Sequence, residues 1–336
     1  MSRSRSGSRP GARDKSSPAP LKAPLITAAI CTYNRYELLE KAIASLAQQS
    51  LRPNQLEILV IDNSSDPAMS RKESAKYKNI RNLRWIYEAI AGLSNARNVA
   101  AREAGATILA YLDDDAIAES GWAEGIVRTF EEFGSTCEVV GGRIRPIWSR
   151  PRPEWLANEL LGYLSVVEHG DEARFLAEGE WVAGANIAYR TGTLLELGGF
   201  DVTLGRVGSG SALMSNEEVV LTEKIKKRGG RIVYTPHAAV DHLVEEKRID
   251  QQWFRRRVAW QAVSECIGAS TKAPAADLQQ KWMAVKEYFL HCAPADRTVR
   301  ALALEQSDPG KFRWQLATIY DFTMCVLGGL GEIENL

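Results

Sequence analysis

Apolar residues recur along this chain in two alternating rhythms. Short, mostly unbroken apolar runs occupy Leu25–Cys31, Leu56–Asp62, Leu83–Tyr87 and Ile108–Leu112, each the length of a buried strand. Between them apolar positions return every three or four residues. Leu38, Leu39, Ala42, Ile43 and Leu46 share one helical face, and Leu93, Ala96, Ala100 and Ala104 make the inner stripe of another helix. A polar helix follows the turn residues Asn63 to Pro67. Strand and helix therefore alternate from residue 25 to about 142, which predicts a parallel sheet with helices on both faces. In such sheets ligands bind beyond the carboxyl ends of the strands.

Past residue 142 the rhythm breaks. Arg143 to Trp155 is dense in Arg, Pro and Trp and predicts a loop or short helices over the crevice edge, a candidate cover. Trp181 to Tyr189 returns to strand, Thr191 to Leu197 reads as a helix ended by Gly198 and Gly199, and Gly205 to Ser211 reads as a flexible loop. A helix from about Glu217 to Arg228 precedes two short strands, Arg231–Tyr234 and Ala238–His242. After residue 250 the chain reads helical, ending in a packed helix over Leu316 to Leu330 that is too short and too interrupted, by Asp321, to span a bilayer. The expected organisation is a disordered basic tail (1–24), a main domain (25–248) in two halves meeting at 142/143, and a helical C-terminal extension (249–336).

The tail is rich in Ser, Arg and Pro, cannot build a core, and lacks the apolar centre of a secretory signal. Its arginines suit peripheral contact with anionic lipid. Positive and negative side chains balance at 42 each, so nothing argues for bulk nucleic-acid binding. The five cysteines are scattered, with no C-x-x-C pair, which indicates neither a disulfide framework nor a zinc cluster and fits a reducing, cytoplasmic setting.

The most informative chemistry is Asp113, Asp114 and Asp115 at the exit of the fourth strand. Three adjacent acids repel one another, and a divalent cation relieves the repulsion. Hard oxygen ligands suit Mg²⁺ or Mn²⁺, which also bind phosphate. Other residues carry two open readings. Asp62 is either a nucleotide-binding strand-end acid or an Asx-turn. Arg97, in the first turn of the helix opened by Gly92, either meets a diphosphate or pairs with an acid. Ser215 with Glu218 is either a capping box or holds a general base. His242 either completes a metal site with Asp115 or is a buried strand-end histidine, and Asp241 should point the other way. Trp253 to Trp260 is either a phosphate- or lipid-facing surface or a solvated basic face with buried tryptophans.

Taken in order, the segments Cys31–Arg35, Val60–Ser64, Gly92–Asn98, Tyr111–Asp115, Gly184–Asn186, Gly199–Asp201 and Asn216–Glu218, with Gly229 closing that helix, resemble the family-2 inverting glycosyltransferases of GT-A fold. The resemblance covers residues 25 to about 262. It implies an α/β, GT-A-like (Rossmann-type) fold with a mixed, mostly parallel sheet, and an enzyme moving a hexose from a nucleoside-diphosphate sugar, UDP-hexose by family frequency, to an acceptor hydroxyl in polysaccharide or glycoconjugate synthesis. The acceptor could be a saccharide, a lipid-linked sugar or a small molecule. By the same resemblance Thr32, Tyr33 and Asp62 contact the nucleoside, with Asn34, Arg35 and Asn63 beside them. Asp113 sits on the ribose side, Asp114 is among the donor-binding residues, Arg97 lies near the donor, and Asp115, with Asp113 and His242, holds Mn²⁺ or Mg²⁺. Trp181, Gly184, Ala185 and Asn186 border the sugar and acceptor. The family shows Glu-Asp where this chain has Glu217 and Glu218, so either glutamate is open as the base. After His242 this chain has Glu245 to Arg248 in place of the proline pair and arginine of some relatives, and no acceptor role is expected there. The competing classes are a nucleotide-sugar-binding protein whose Glu218 only caps its helix, and a nucleotidyltransferase, which would want a glycine-rich loop after the first strand.

Overall fold

The computed structural model describes residues 23–208, 212–269 and 274–329. Strands β1 (Ile26–Thr32), β2 (Leu56–Asp62), β3 (Leu83–Tyr87) and β4 (Ile108–Asp113) lie parallel in the order β3-β2-β1-β4. Of these, β1, β2 and β4 are largely apolar on both faces because both faces are covered, while the edge strand β3 is only half-buried. Helices α1 (Tyr36–Ala47) and α4 (Trp122–Phe133) pack Leu39, Ile43, Trp122 and Phe130 against Ala28, Ile30 and Val60. On the other face α3 (Leu93–Glu103), α5 (Thr191–Glu196) and α6 (Glu217–Lys227) bury Ala96, Leu194, Leu221 and Ile225 against Ala29, Leu59 and Ile61. Helix α2 (Pro67–Ser74) is capped by Asp66, whose side chain accepts from the Ala68 amide at 2.8 Å.

Beyond β4 the sheet turns mixed. Strand β8 (Asn186–Arg190) runs antiparallel to β4, followed by β6 (Cys137–Trp148), β9 (Arg231–Val244) and β5 (Ala116–Ala118), with β7 (Arg174–Phe175) also on β9. Three expectations change here. Residues Arg143 to Trp148 are no cover: they finish β6, paired with β9 through Trp148↔Val244, and Ile144 is buried. The two expected final strands are one, β9. Its Pro236, which lacks an N–H, falls where the register jumps from Gly142↔Thr235 to Ile144↔Val240, a bulge that leaves no ladder bond to lose. The strand expected from Trp181 begins only at Asn186, so Trp181 to Ala185 form a loop and turn.

Helices α7 (Gln251–Gly268), α8 (Ala275–His291) and α9 (Pro309–Leu327) complete the described chain. Phe254, Phe312 and Leu316 from α7 and α9 join Leu156, Leu160 and Leu164 in a separate apolar cluster, with Trp155 edge-on to Phe254 and Phe312 at 5.6 and 5.1 Å. No helix among the described residues is long and apolar enough to cross a membrane. All five cysteines are free. The expected basic tail, up to residue 22, and residues 209–211 of the expected flexible loop lie outside the described residues.

Candidate active site

Strand register gathers the acids. Thr32 pairs with Asp62 and Cys31 with Asp113, so the carboxyl ends of β1, β2 and β4 are level. The chain then turns through Asp114 and Asp115 into β5, whose Ala116 pairs with His242 of β9. That pairing sets Asp115 beside His242, with Oδ1 3.1 Å from Nε2. Oxygens or nitrogens of Asp113, Asp115 and His242 lie within 4.8 Å of one another. His242 Nδ1 is buried without a hydrogen-bond partner, and Asp115 Oδ1, also buried, has only the His242 ring beside it. Two converging carboxylates and an imidazole with an unanswered nitrogen fit a divalent cation. Asp241, the neighbour of His242, points away and pairs with Arg145 at 2.8 Å, as strand alternation requires.

Arg35 braces the turn, donating to Asp114 at 2.9 Å and Asp115 at 2.8 Å. Burial opposes the Asp115 charge, but His242 and Arg35 outweigh it and hold the carboxyl well below the usual range. Asp114 faces inward and accepts from Thr32 Oγ1 at 2.8 Å; burial raises its carboxyl to about 7 despite Arg35.

A cavity of about 710 Å³ opens next to this cluster. Asp113 stands on its wall with Arg97, Trp181, Gly184, Ala185, Glu217 and Glu218. Arg97 is buried, and donates to Glu217 Oε1 at 2.7 Å and the Gly184 carbonyl at 3.0 Å, with Asp113 Oδ1 3.6 Å away. The guanidinium lies so close that a Cβ at residue 184 would meet it at 2.7 Å, which is why glycine stands there. The expected pairing of Arg97 with an acid is thus observed, and the acid is Glu217.

Glu218 lies on the same helical face as Leu221 and Ile225, as its spacing predicts, and the capping box does not form. The N-cap is Asn216, in the left-handed region at φ 73°, and its side chain makes no cap bond; Ser215 instead donates to Asn216 Oδ1. Glu218 Oε1 receives a long bond from the Gly184 amide, 3.4 Å, and Oε2 is sealed from solvent with no partner. Burial, and then the charge of Glu217, pushes its carboxyl up to about 7 against the pull of Arg97.

Other expected site residues do not reach the cavity wall. Asn186 is the clearest correction. It is buried, accepts from Trp122 Nε1 at 2.8 Å and donates to the Arg143 and Ala238 carbonyls, so its amide joins three strands and a helix instead of bordering a sugar. Asp62 is fully buried, accepting from Tyr36 and from the Ser64 amide two residues on, an Asx-turn. It is level with the other acids but not on the cavity. Asn63 binds the carbonyls of Glu88 and Ile90 and the Gly92 amide, fixing the approach to α3. Asn34 is tied to Ser64 and Ser65, and the Tyr33 ring stands against Gly208.

Three cavity residues escaped sequence reasoning: Arg206, Arg248 and Arg257. Arg206 sat in an expected flexible loop, and Arg248 in a segment credited with no role. Arg257 lay in the aromatic and basic run at Trp253 to Trp260, which did offer a signal. That helix is no purely solvated face, since Arg257 turns inward beneath Tyr163.

Residues 27–181 match the family model described as Glycosyl transferase family 2. The chain is 27% identical over 244 residues to the glucosyl-dolichyl phosphate glucuronosyltransferase of Haloferax volcanii, covering 72% of this chain and 76% of that protein. It is 26% identical over 235 residues to the succinoglycan biosynthesis protein ExoM of Rhizobium meliloti, covering 68% and 70%. The fold is similar to that of the mannosyltransferase PcManGT from Pyrobaculum calidifontis, solved with GDP-Man and Mn²⁺, with a TM-score of 0.56 and 20% identity over 95% of this chain and 90% of that one. It is also similar to S. aureus TarS 1–349 solved with UDP, with a TM-score of 0.51 and 16% identity over 89% and 90%.

Proposed function

The chain is a family 2 glycosyltransferase of GT-A fold, and from that premise we propose that it moves a hexose from a nucleoside-diphosphate sugar to an acceptor hydroxyl, with inversion and with help from a divalent cation. The carrying observation is that Asp113 belongs both to the Asp113–Asp115–His242 cluster and to the wall on which Glu218 stands. Leaving-group and attacking-group chemistry can then meet across one hollow.

Asp113, Asp115 and His242 would hold Mn²⁺ or Mg²⁺; the PcManGT complex with GDP-Man and Mn²⁺ supports both a nucleotide-sugar donor and a metal. When bound, such an ion supplies positive charge against a leaving diphosphate. Everything else falls to side chains of the chain. Glu218, unpaired and with a carboxyl near 7, is suited to take the acceptor proton, a contribution of about 10²–10⁴-fold. Glu217 is committed to Arg97, so it orients the cation and Gly184 instead of acting as the base. Among the described residues the other wall glutamates and Asp321 are engaged, Glu159 by Arg313, Glu265 by Tyr320 and Asp321 by Lys281, which leaves Glu218 for proton transfer and no separate nucleophile beside it for a two-step route. A single displacement through an oxocarbenium-like state follows, and it inverts the anomeric centre. Water is limited by the turn Asn158–Leu164 and by Leu316, Ala317 and Tyr320 of α9, which line the cavity where Arg143 to Trp155 had been expected to cover it. The acceptor we favour is a growing saccharide or glycoconjugate, in keeping with the names of the glucuronosyltransferase and the succinoglycan biosynthesis protein to which the chain is similar.

The test is a screen of nucleotide sugars for Mn²⁺-dependent release of nucleoside diphosphate, with and without saccharide acceptors. The reading predicts transfer that depends on metal and on Glu218. Tight donor binding with no product, equal in Glu218→Gln and wild type, would replace it with donor binding alone.

A further inference from the structure

The cavity wall carries Asp113, Glu159, Glu217, Glu218, Glu265 and Asp321, yet three of its arginines have no carboxylate in ion-pair reach. Arg206, Arg248 and Arg257 reach its wall from three separate segments: the loop before α6, the turn after β9, and α7. Among the described residues none of the three has a carboxylate within 4.0 Å. Arg248 makes one long bond, 3.4 Å from Nη2 to the Tyr163 carbonyl, and its Nε is sealed from solvent without a partner. Nη1 of Arg257 is sealed and partnerless in the same way. Aromatic rings flank both groups, Trp253 at 5.2 Å from Arg248 and Tyr163 at 5.6 Å from Arg257. Burial lowers Arg248 to about 10, with Asp115 opposing and Arg206 adding to the fall; burial and then Arg206 lower Arg257 too. The fully buried Arg97 and the half-buried Arg35 differ: Arg97 has Glu217, and Arg35 has Asp114 and Asp115. A desolvated charge without a partner is costly. The missing anion is therefore to be sought outside the chain.

We propose that Arg248 and Arg257, with Arg206 at the open edge, form a subsite for the phosphate group of a phosphorylated saccharide acceptor. This rests on the glycosyl-transfer reading of the cavity. Guanidinium forks match phosphate oxygens, and converging cations suit a group with up to two charges. The subsite shares its cavity with Glu218, so a bound phosphate would aim a hydroxyl of the attached sugar at the base. In transfer the hydroxyl oxygen bonds to the anomeric carbon, the bond from that carbon to the donor diphosphate breaks, and the proton passes to Glu218. The acceptor phosphate is a handle and is not consumed. Leu160, Leu316 and Ala317 on the same cavity give an apolar wall for whatever alkyl group the phosphate carries.

The experiment uses the full chain with Mn²⁺ and a donor it turns over. The acceptors are matched pairs: hexose 1-phosphate against methyl hexoside, and octyl hexosyl phosphate against octyl hexoside. At least one phosphorylated acceptor should exceed its neutral match tenfold or more in kcat/KM, and the better of the two identifies a soluble or a lipid-borne source. Arg248→Gln and Arg257→Gln should each cut that preference about tenfold, with Arg257→Lys retaining part of it. Both Gln variants should melt at or above the wild-type temperature, because a half-buried charge without a carboxylate partner has been removed. The proposal is overturned if neutral and phosphorylated acceptors serve equally. It is overturned too if the preference persists in the variants while nucleoside-diphosphate affinity falls tenfold, which would assign the arginines to the donor. Variants that melt well below wild type would mark the arginines as structural and also overturn it. Calorimetry of hexose 1-phosphate without donor keeps the two readings apart. If no donor is ever turned over, the transfer reading fails, while binding lost in Arg248→Gln and Arg257→Gln still supports the subsite and binding unchanged in them still overturns it.

Discussion

Two neighbouring glutamates show how little separates a brace from a reactive group. Each has one oxygen sealed without a partner, but the other oxygen of Glu217 has a guanidinium at 2.7 Å, whereas that of Glu218 has only the Gly184 amide at 3.4 Å and its carboxyl is raised to about 7. If Glu218 is the base it must be ionised to work, so kcat should rise with pH through about 7 and level above it. Glu218→Gln should lower kcat about 10²–10⁴-fold and flatten that profile, with donor affinity changed far less. Steady-state kinetics from pH 5.5 to 9 checks this, and a larger loss in Glu217→Gln with Glu218→Gln near wild type would reverse the assignment. The same substitution should raise stability. Between the ordinary value of 4.5 and about 7 the folded state binds more protons at this site than the unfolded chain, so its contribution falls as pH rises across that window. At pH 8 the glutamine variant escapes the whole loss, a gain of about 1–3 kcal/mol readable by chemical denaturation. At the cation cluster, Asp115→Asn should remove Mn²⁺ binding, seen by calorimetry, and cut turnover on the order of 10²-fold or more while leaving the melting temperature within a few degrees.

Arg97 works at the scale of elements. It rises from the second turn of α3 and ties β4, through Asp113, to the start of α6, through Glu217, and to the turn before β8, through Gly184. Tyr111 and Phe200 lie 5.7 and 5.5 Å from the guanidinium, so little water can replace a lost partner. Arg97→Met should therefore destabilise the fold by about 3–5 kcal/mol, because Glu217 is left buried and unpaired. Arg97→Met with Glu217→Gln should recover much of that loss. A double-mutant cycle by chemical denaturation measures the coupling, and additive single effects would dissolve the clamp. Gly184→Ala belongs with this clamp: its methyl would push the guanidinium out of place and should depress kcat with only modest loss of stability.

At the scale of the whole molecule, the extension expected from residue 249 packs on the main domain. Phe312 and Leu316 of α9 share an apolar cluster with Leu156, Leu160 and Leu164 of the main domain, and Leu316, Ala317 and Tyr320 line the cavity itself. We therefore propose that α7 to α9 belong to the catalytic body. Removing residues 305–336 should uncover Phe254 and Leu160, abolish transfer, and give a chain that binds hydrophobic dyes and lacks a sharp thermal transition. A truncated chain that melts cooperatively and keeps its activity would restore the extension to separate status.

What the sequence determined by itself was whatever local periodicity and covalent neighbourhood encode. Mostly unbroken apolar runs specify β1, β2 and β4, since parallel strands buried on both sides need no polar face. The three consecutive acids had to share one turn, and the order of the short segments pointed to the family. What only the tertiary structure decided was the set of partnerships between residues far apart along the chain. Alternation could not distinguish Pro236 as the end of a strand from Pro236 as a bulge within one, because the bulge is defined by β6 across the ladder. Nor could composition show that Asn186 turns into backbone, that Arg97 claims Glu217 and leaves Glu218 unpaired, or that three arginines from separate segments meet without a counter-charge. Burial and pairing set the charge state and cost of a polar side chain, and both arise only when distant parts of the polymer close around it.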